Sequence, residues 1–211
     1  REKLANSELL LLQTVMLDIS RVINTSCKQT AKLLMVGDCL HLAGRFDRGA
    51  EAYERALELT PKSSPEHIEV LFKQGALHRD MGRYDEAIRW YHRGLRTAGR
   101  LAKGAEREHF ELELEMGIAT VRFRQGDFRD AVKRCRAVVD RALAAEGDER
   151  LQLANAYLLL HLAYTQMGSP ERLAFRGLAL PIFEELGDLK RQATVLNNLG
   201  IEAYYEGEWA K

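Results

Sequence analysis

The chain alternates between amphipathic stretches with helical spacing and short breaks centred on glycine. Each of five glycines lies between two such stretches, and in four of the five cases an aromatic residue follows two positions later. These glycines are Gly44, Gly82, Gly126, Gly168 and Gly207, which are 38, 44, 42 and 39 residues apart. Glycine commonly ends a helix because it adopts a positive φ without a Cβ clash. The pattern therefore predicts an all-α chain of helix pairs, each joined by a tight turn.

Small residues recur at two places in each predicted helix pair. On the first helix they precede the turn glycine by seven positions, as Gly37, Gly75, Ala119 and Gly200. On the second helix they follow the aromatic residue by three positions, as Gly49, Ala87 and Ala131. Small residues let two helices approach closely, and the aromatic residue is expected to pack in the angle between them. Because one helix pair cannot bury both of its faces alone, the units are predicted to stack.

Two parts of the chain depart from this pattern. In the fourth unit His161 stands where a small residue is expected, and Pro170 replaces the aromatic residue. Its second helix contains Pro181 and is predicted to start late or to kink. Residues 1–29 fit no complete unit, so we expect them to form one or two closing helices or the remnant of an earlier repeat.

The composition argues against several classes of function. Lys+Arg and Asp+Glu each number 31, and the resulting formal charge of zero argues against nucleic acid as a partner. The apolar run Leu9–Ile23 is interrupted by polar and charged residues, which favours a core helix over a membrane span. The three cysteines, Cys27, Cys39 and Cys135, lie too far apart to suggest a disulfide framework. They favour a reducing, cytoplasmic location.

No motif in the sequence indicates catalysis. The histidines are scattered over different predicted helices: His41, His67, His78, His92, His109 and His161. Because of this scatter we predict no metal site. A Gly-rich phosphate loop is also absent, so we predict no cofactor and no enzyme. Basic residues between Arg122 and Arg141 alternate with aspartates, and this pattern favours solvated helix faces over a nucleic-acid site.

The repeated unit resembles the tetratricopeptide repeat. With the turn glycine counted as position 15, the first unit matches the family pattern at Leu33, Gly37, Leu40, Phe46, Tyr53, Ala56 and Pro61. The second unit matches at Leu71, Gly75, His78, Tyr84, Ala87, Tyr91 and Gly94, and the fifth at Leu196, Leu199, Gly200 and Trp209. The resemblance implies a right-handed α-solenoid of stacked helix-turn-helix units, with about four and a half repeats over residues 30–211.

The glycine spacing exceeds the family's usual period of about 34 residues. Longer units of this kind are similar to those of kinesin light chains, G-protein-regulator scaffolds and bacterial signalling proteins. Because the chain begins at Arg1 and ends at Lys211 as the last unit begins its second helix, we expect a fragment of a larger bacterial signalling or regulatory protein.

The resemblance also implies which residues face the concave groove of the solenoid. Our candidates for peptide binding are Phe72, Lys73, Arg79, Met116, Phe123, Arg124, Asn155, Asn197, Asn198 and Ile201. Asn197 and Asn198 match a signature of long-repeat peptide binders, in which the amide can pair with a peptide backbone. The alternative is that Asn198 bonds only within its helix pair. Lys73, Arg79 and Arg124 could attract an acidic partner, or they could be ordinary solvated charges.

The leading hypothesis is a non-enzymatic scaffold that binds a protein or peptide segment in signal transduction. The alternative is a module that senses a small ligand or signalling peptide within a multidomain ATPase, cyclase or transcription regulator. Apolar residues near the C-terminus, Val195, Leu199 and Tyr204, are expected to lack a covering helix. The sequence therefore predicts self-association through exposed end helices, with Leu9–Ile23 as a second such surface.

Overall fold

The described part of the chain is an all-α solenoid. In a computed structural model, residues 28–207 are described, and no strand occurs among them. The helices are α1 (28–42), α2 (Phe46–Leu59), α3 (Pro65–Asp80), α4 (Tyr84–Ala98), α5 (Ala105–Arg124), α6 (Phe128–Ala144), α7 (Arg150–Gln166), α8 (Arg172–Phe175), α9 (Ala179–Glu185) and α10 (Leu189–Glu206). The expectations for Leu9–Ile23 and Trp209, and for all but the end of segment 1–29, lie outside the described residues.

The helix pairs are joined by glycine turns with a repeated bonding pattern. The turn glycines Gly44, Gly82, Gly126, Gly168 and Gly207 have φ values between 63° and 81°. After the first four, the next residue donates its backbone N–H to a carbonyl five residues earlier, as in the 2.9 Å bond from Arg83 to His78. These bonds satisfy carbonyls that the helix end would otherwise leave unpaired. Left-handed glycine is therefore the local reason for each reversal of the chain.

The solenoid has two layers of helices. Consecutive helices pack from α2 to α7, and the first helices of successive units, α3, α5 and α7, also contact one another. The second helices α2, α4 and α6 form the other layer. Four clusters of buried residues lie along the stack, one at each level, and join neighbouring units. Because the first helices line one face together, side chains from several units can meet there.

Glycine and tyrosine pack together in the first two units. Tyr53 is completely buried, and a Cβ atom added at Gly37 would come within 2.3 Å of its ring. A Cβ at Gly75 would likewise lie 2.5 Å from the buried ring of Tyr91. The small residues predicted on the first helices therefore make room for tyrosines on the second helices. The hydroxyl of Tyr53 donates to Asp38 over 2.6 Å, which links the two helices further.

The third and fourth units fill the same two positions differently. The third unit has Ala119 and Cys135, which share one buried cluster. In the fourth unit the large residue has moved to the first helix: His161 is buried, and the corresponding position after the turn is Gly177. Gly177 has a φ of 78° and lies between α8 and α9. The predicted disturbance of this second helix is confirmed, but the break lies at Gly177, before Pro181.

The end of the described chain corrects one packing expectation. Val195 is buried in a cluster with Ala154, Ala179 and Phe183, so it does not lack a covering helix. No described atom lies within 4 Å of a Cβ added at Gly200, and the second helix expected to contact Gly200 lies outside the described residues. The irregular α8–α9 segment thus covers the inner side of α10, and no other helix among residues 28–207 covers its opposite side.

Neither a membrane span nor a metal cluster is found in residues 28–207. None of the described helices is both long enough and apolar enough to cross a bilayer. The same residues contain no group of three or more potential metal ligands.

Candidate functional site

A cavity of about 300 Å³ opens on the face formed by the first helices. Its lining is mostly apolar and comes from α3, α5, α7 and the start of α10: Phe72, Arg79, Glu113, Met116, Gly117, Thr120, Leu151, Gln152, Asn155, Leu158, Leu159, Leu162 and Arg191. Because the lining residues are shared among four packed helices, the shape of the cavity is fixed by the stacking of the units. We call it the central cavity.

A second cavity of about 500 Å³ continues the same face towards the C-terminus. We call it the terminal cavity; its lining is His161, Leu162, Thr165, Gln166, Gly168, Arg172, Asn198, Ile201, Glu202 and Tyr205. Leu162 lines both cavities. The two cavities are therefore neighbouring parts of one surface that runs from α3 to α10.

The structure brings six of the ten predicted groove residues into these two cavities. Phe72, Arg79, Met116 and Asn155 line the central cavity, and Asn198 and Ile201 line the terminal cavity. Four do not line either cavity: Lys73, Phe123, Arg124 and Asn197. The ring of Phe123 packs against Phe128 at a centroid distance of 5.4 Å and against the core beneath α5. Asn197 is exposed at the side of α10.

The three predicted cations of the groove are held by carboxylates within the protein. Lys73 Nζ lies 2.9 Å from Asp38, and the guanidinium groups of Arg79 and Arg124 lie 3.0 Å and 3.1 Å from Asp80. Burial raises the pKa of Asp80, but the bonds from Arg79 outweigh burial and hold that pKa below its ordinary value. Asp80 therefore stays ionised and neutralises much of the positive charge at this end of the groove.

Glu113 is the charged group of the central cavity that has no partner among residues 28–207. In residues 28–207 its carboxylate makes no hydrogen bond and no ion pair. Burial raises the pKa of Glu113, and the charges of Glu69 and Glu149 raise it as well. The charges of His109 and Lys73 lower it but do not outweigh burial. A cationic group placed beside Glu113 would restore its preference for the charged form. The cavity can therefore accept an apolar side chain that carries a positive group.

Charge is distributed unevenly along the first helices. The acidic residues Glu69 and Glu149 lie near the starts of α3 and α7 and Glu113 lies in the middle of α5, whereas Arg79 and Arg124 lie at the ends of α3 and α5. The groove consequently has carboxylates towards one edge and, at the other edge, arginines that are paired with Asp80. Such an arrangement would orient a bound chain that carries both signs of charge.

Three residues that line the central cavity have no position in the numbering of the repeat family. Leu151, Gln152 and Arg191 precede the first position of the repeats in which they lie. The longer repeats place extra residues at the starts of α7 and α10, and these residues extend the groove wall. The signal in the sequence was the long glycine spacing itself, which predicts longer helices but not which face the added residues occupy.

Comparisons with known proteins agree with this architecture. Residues 29–100 match the family model described as tetratricopeptide repeat. No curated protein sequence matches the chain. The crystal structure of BtubC (BKLC) from P. vanneervenii superposes with a TM-score of 0.62 at 17% identity over 75% of this chain. A putative kinesin light chain of Podosopora anserina, with nearly identical TPR-like repeats, gives a TM-score of 0.55 at 13% identity.

The two likenesses differ in how much of each protein they cover. The matched region spans 64% of the BtubC chain, whereas 83% of this chain covers 95% of the Podosopora protein. At these identities the likeness concerns the fold.

Proposed function

Because residues 29–100 match the tetratricopeptide repeat and the described helices form a solenoid of the same kind, we propose that this chain is a tetratricopeptide repeat protein whose concave face binds an extended segment of a partner protein. The observation that carries the proposal is the pair of cavities that meet at Leu162. Together they offer apolar subsites on α3, α5, α7 and α10, with the amides of Asn155 and Asn198 between them. An extended chain makes such contacts at intervals along its length, and a side-chain amide can both donate to and accept from its backbone.

The proposed partner carries a basic or mixed charge in the segment that enters the central cavity. Lys73, Arg79 and Arg124 are already paired with Asp38 and Asp80, whereas Glu113 has no partner in the described chain. A lysine or arginine could lay its methylene groups along Phe72 and Met116 and bring its charge to Glu113. An acidic segment, which would have to compete with Asp38 and Asp80 for Lys73, Arg79 and Arg124, is the alternative.

In this role the protein is a non-enzymatic scaffold in cytoplasmic signal transduction. A regulatory module that senses a small ligand is the second candidate, because a cavity of about 300 Å³ is within the size range of small-molecule sites. Self-association through α10 is a further proposal, supported by the exposed Leu196, Ile201 and Tyr205. Light scattering at increasing protein concentration tests it, and a monomer throughout would contradict it.

The test begins with peptides selected from a random display library on the immobilised protein. The affinity of the selected peptides is then measured by fluorescence anisotropy for the wild type and for Leu162→Glu, which adds charge to both cavities. The matched control is Leu143→Glu, because Leu143 is 64% exposed on α6. We expect Leu162→Glu to weaken binding at least tenfold and Leu143→Glu to leave it within twofold.

The selected sequences distinguish the candidate partners. Enrichment of lysine and arginine supports the cavity at Glu113, and enrichment of aspartate and glutamate supports the acidic alternative. Failure to select any peptide, or equal losses in the two leucine variants, would contradict peptide binding on this face. Binding of single amino acids or nucleotides with peptide affinity absent would favour the sensing module.

A further inference from the structure

A third cavity, of about 430 Å³, lies among α2, α3 and α4. Its lining is Leu57, Glu58, Lys62, His67, Leu71, Arg93, Arg96, Thr97 and Arg100. It has no lining residue in common with the central or terminal cavity. Most of the charged lining comes from the second helices and from the segments that follow them. We call it the basic cleft.

Positive charge in the basic cleft is not neutralised within the described chain. Lys62, Arg93, Arg96 and Arg100 face one carboxylate, Glu58. None of these four cationic side chains forms an ion pair among residues 28–207, although Arg93 lies 4.3 Å from the ring centroid of Trp90. This differs from the groove, where the predicted cations are held by Asp38 and Asp80. The chain as a whole has zero formal charge, so the excess is a local property of the cleft.

A buried histidine forms part of the cleft lining. Nδ1 of His67 lies 2.8 Å from the hydroxyl oxygen of Thr60, and that hydroxyl donates to the carbonyl of Leu57 over 3.2 Å. When the Thr60 hydroxyl donates its one hydrogen to Leu57, Nδ1–H donates to Thr60 and Nε2 of neutral His67 is left as an acceptor. Burial lowers the pKa of His67, and the charges of Arg93 and Lys62 lower it further. The positive side chains of Arg93 and Lys62 therefore act on His67 in addition to its burial.

From this combination we infer that the basic cleft binds a phosphate group, as a site separate from the peptide groove. Guanidinium groups match the geometry of phosphate oxygens, and a phosphate dianion offsets more of the excess charge than one carboxylate would. His67 could add a donor at Nε2, because a bound anion cancels the potential that disfavours its protonation. The source of the group is either a free phosphate compound or a phosphorylated side chain of a partner.

Isothermal titration calorimetry at constant ionic strength tests the inference with pyrophosphate as the probe. The variants are Arg96→Gln and Arg100→Gln, whose side chains are exposed and bonded to no described residue. The matched control is Arg129→Gln, an exposed arginine on α6 that lines none of the three cavities. We expect saturable binding to the wild type. Each cleft variant should weaken it about tenfold, because one charge-assisted contact is lost, and the control should change it by less than twofold.

A second arm identifies the source of the phosphate. A phosphoserine peptide is compared with its unphosphorylated form and with pyrophosphate, each in wild type and Arg96→Gln. Binding of pyrophosphate alone indicates a free ligand, and phosphorylation-dependent peptide binding indicates a partner side chain. In either case the His67 pKa followed by NMR should rise on binding. Absence of binding in both arms, or an equal loss in Arg129→Gln, would overturn the inference. Neither result bears on the groove, whose test uses Leu162.

Discussion

The packing of Tyr91 between two repeats can be tested with a single methyl group. A Cβ atom added at Gly75 on α3 would lie 2.5 Å from Cε1 of Tyr91, and one added at Gly117 on α5 would lie 2.6 Å from it. Ordinary carbon contacts need about 3.5–4.0 Å. The ring is completely buried and also packs against Phe72 at 5.8 Å. It therefore has little room to retreat from a new methyl group on either helix.

We expect Gly75→Ala to lower the free energy of unfolding by about 1–3 kcal/mol, the usual cost of overpacking a core. The matched control is Gly200→Ala. It occupies the same position of the fifth repeat, but no described atom lies within 4 Å of its added Cβ. Alanine there should stabilise the protein by about 0.4–1 kcal/mol because it restricts the unfolded chain.

Thermal unfolding followed by circular dichroism separates the two variants. For a chain of this size about 1 kcal/mol corresponds to roughly 2–4 °C, so Gly75→Ala should melt several degrees lower and Gly200→Ala slightly higher. In the Tyr91→Leu background the loss caused by Gly75→Ala should shrink, which shows that the clash is with this ring. Equal melting temperatures for Gly75→Ala and Gly200→Ala would refute the reasoning.

Three further predictions concern titratable groups. Burial lowers the pKa of both His67 and His78 below the ordinary 6.5, with help from Arg93 and Arg83. The unfolded chain therefore binds more protons as the pH falls below about 6.5, so the melting temperature should drop between pH 7.5 and 5.5, and less so in His78→Gln. Burial raises the pKa of the Cys135 thiol to about 12, whereas Cys39 is exposed. In a Cys27→Ser background a chromogenic disulfide reagent should modify one thiol of the native protein, and rapid modification of two would contradict the burial of Cys135. Tyr53→Phe removes the 2.6 Å bond to Asp38 and should cost about 1 kcal/mol in urea unfolding, whereas an unchanged midpoint would show that this bond contributes nothing.

Local chemistry in the sequence was enough to predict the regular units. The turn glycines, the aromatic residues after them and the small residues before them each have a steric reason that acts within one helix pair. The pairings of Gly37 with Tyr53 and of Gly75 with Tyr91 follow directly from this pattern.

The fourth unit could not be predicted in this way. Its large side chain lies on the first helix and its small residue on the second, the reverse of the first two units. His161 is buried where the other units have a small residue, and it lies 3.4 Å from Glu202, which Arg172 also contacts. This interaction joins α7, α8 and α10 across about forty residues, and no local pattern encodes it.

The prediction of the groove residues was limited in the same way. Family positions identified residues that face the cavities, such as Asn155 and Ile201. They did not show that Asp38 and Asp80 hold the nearby cations, since the pairs of Lys73 with Asp38 and of Arg124 with Asp80 form between different units. Nor did they separate Phe123, whose ring packs into the core, from the true lining residues.

Chemical-shift mapping by NMR tests the central claim most directly, namely that one continuous concave surface receives an extended chain. The probes are the methyl groups of Leu158, Leu162 and Ile201 and the side-chain amides of Asn155 and Asn198, with Leu143 as the remote reference. A selected peptide of about twelve residues is titrated into the labelled protein. The account predicts saturable shifts in probes of both cavities with one common dissociation constant, and none at Leu143. Shifts confined to Leu143 and other residues of the second helices, with the five groove probes unmoved, would contradict it.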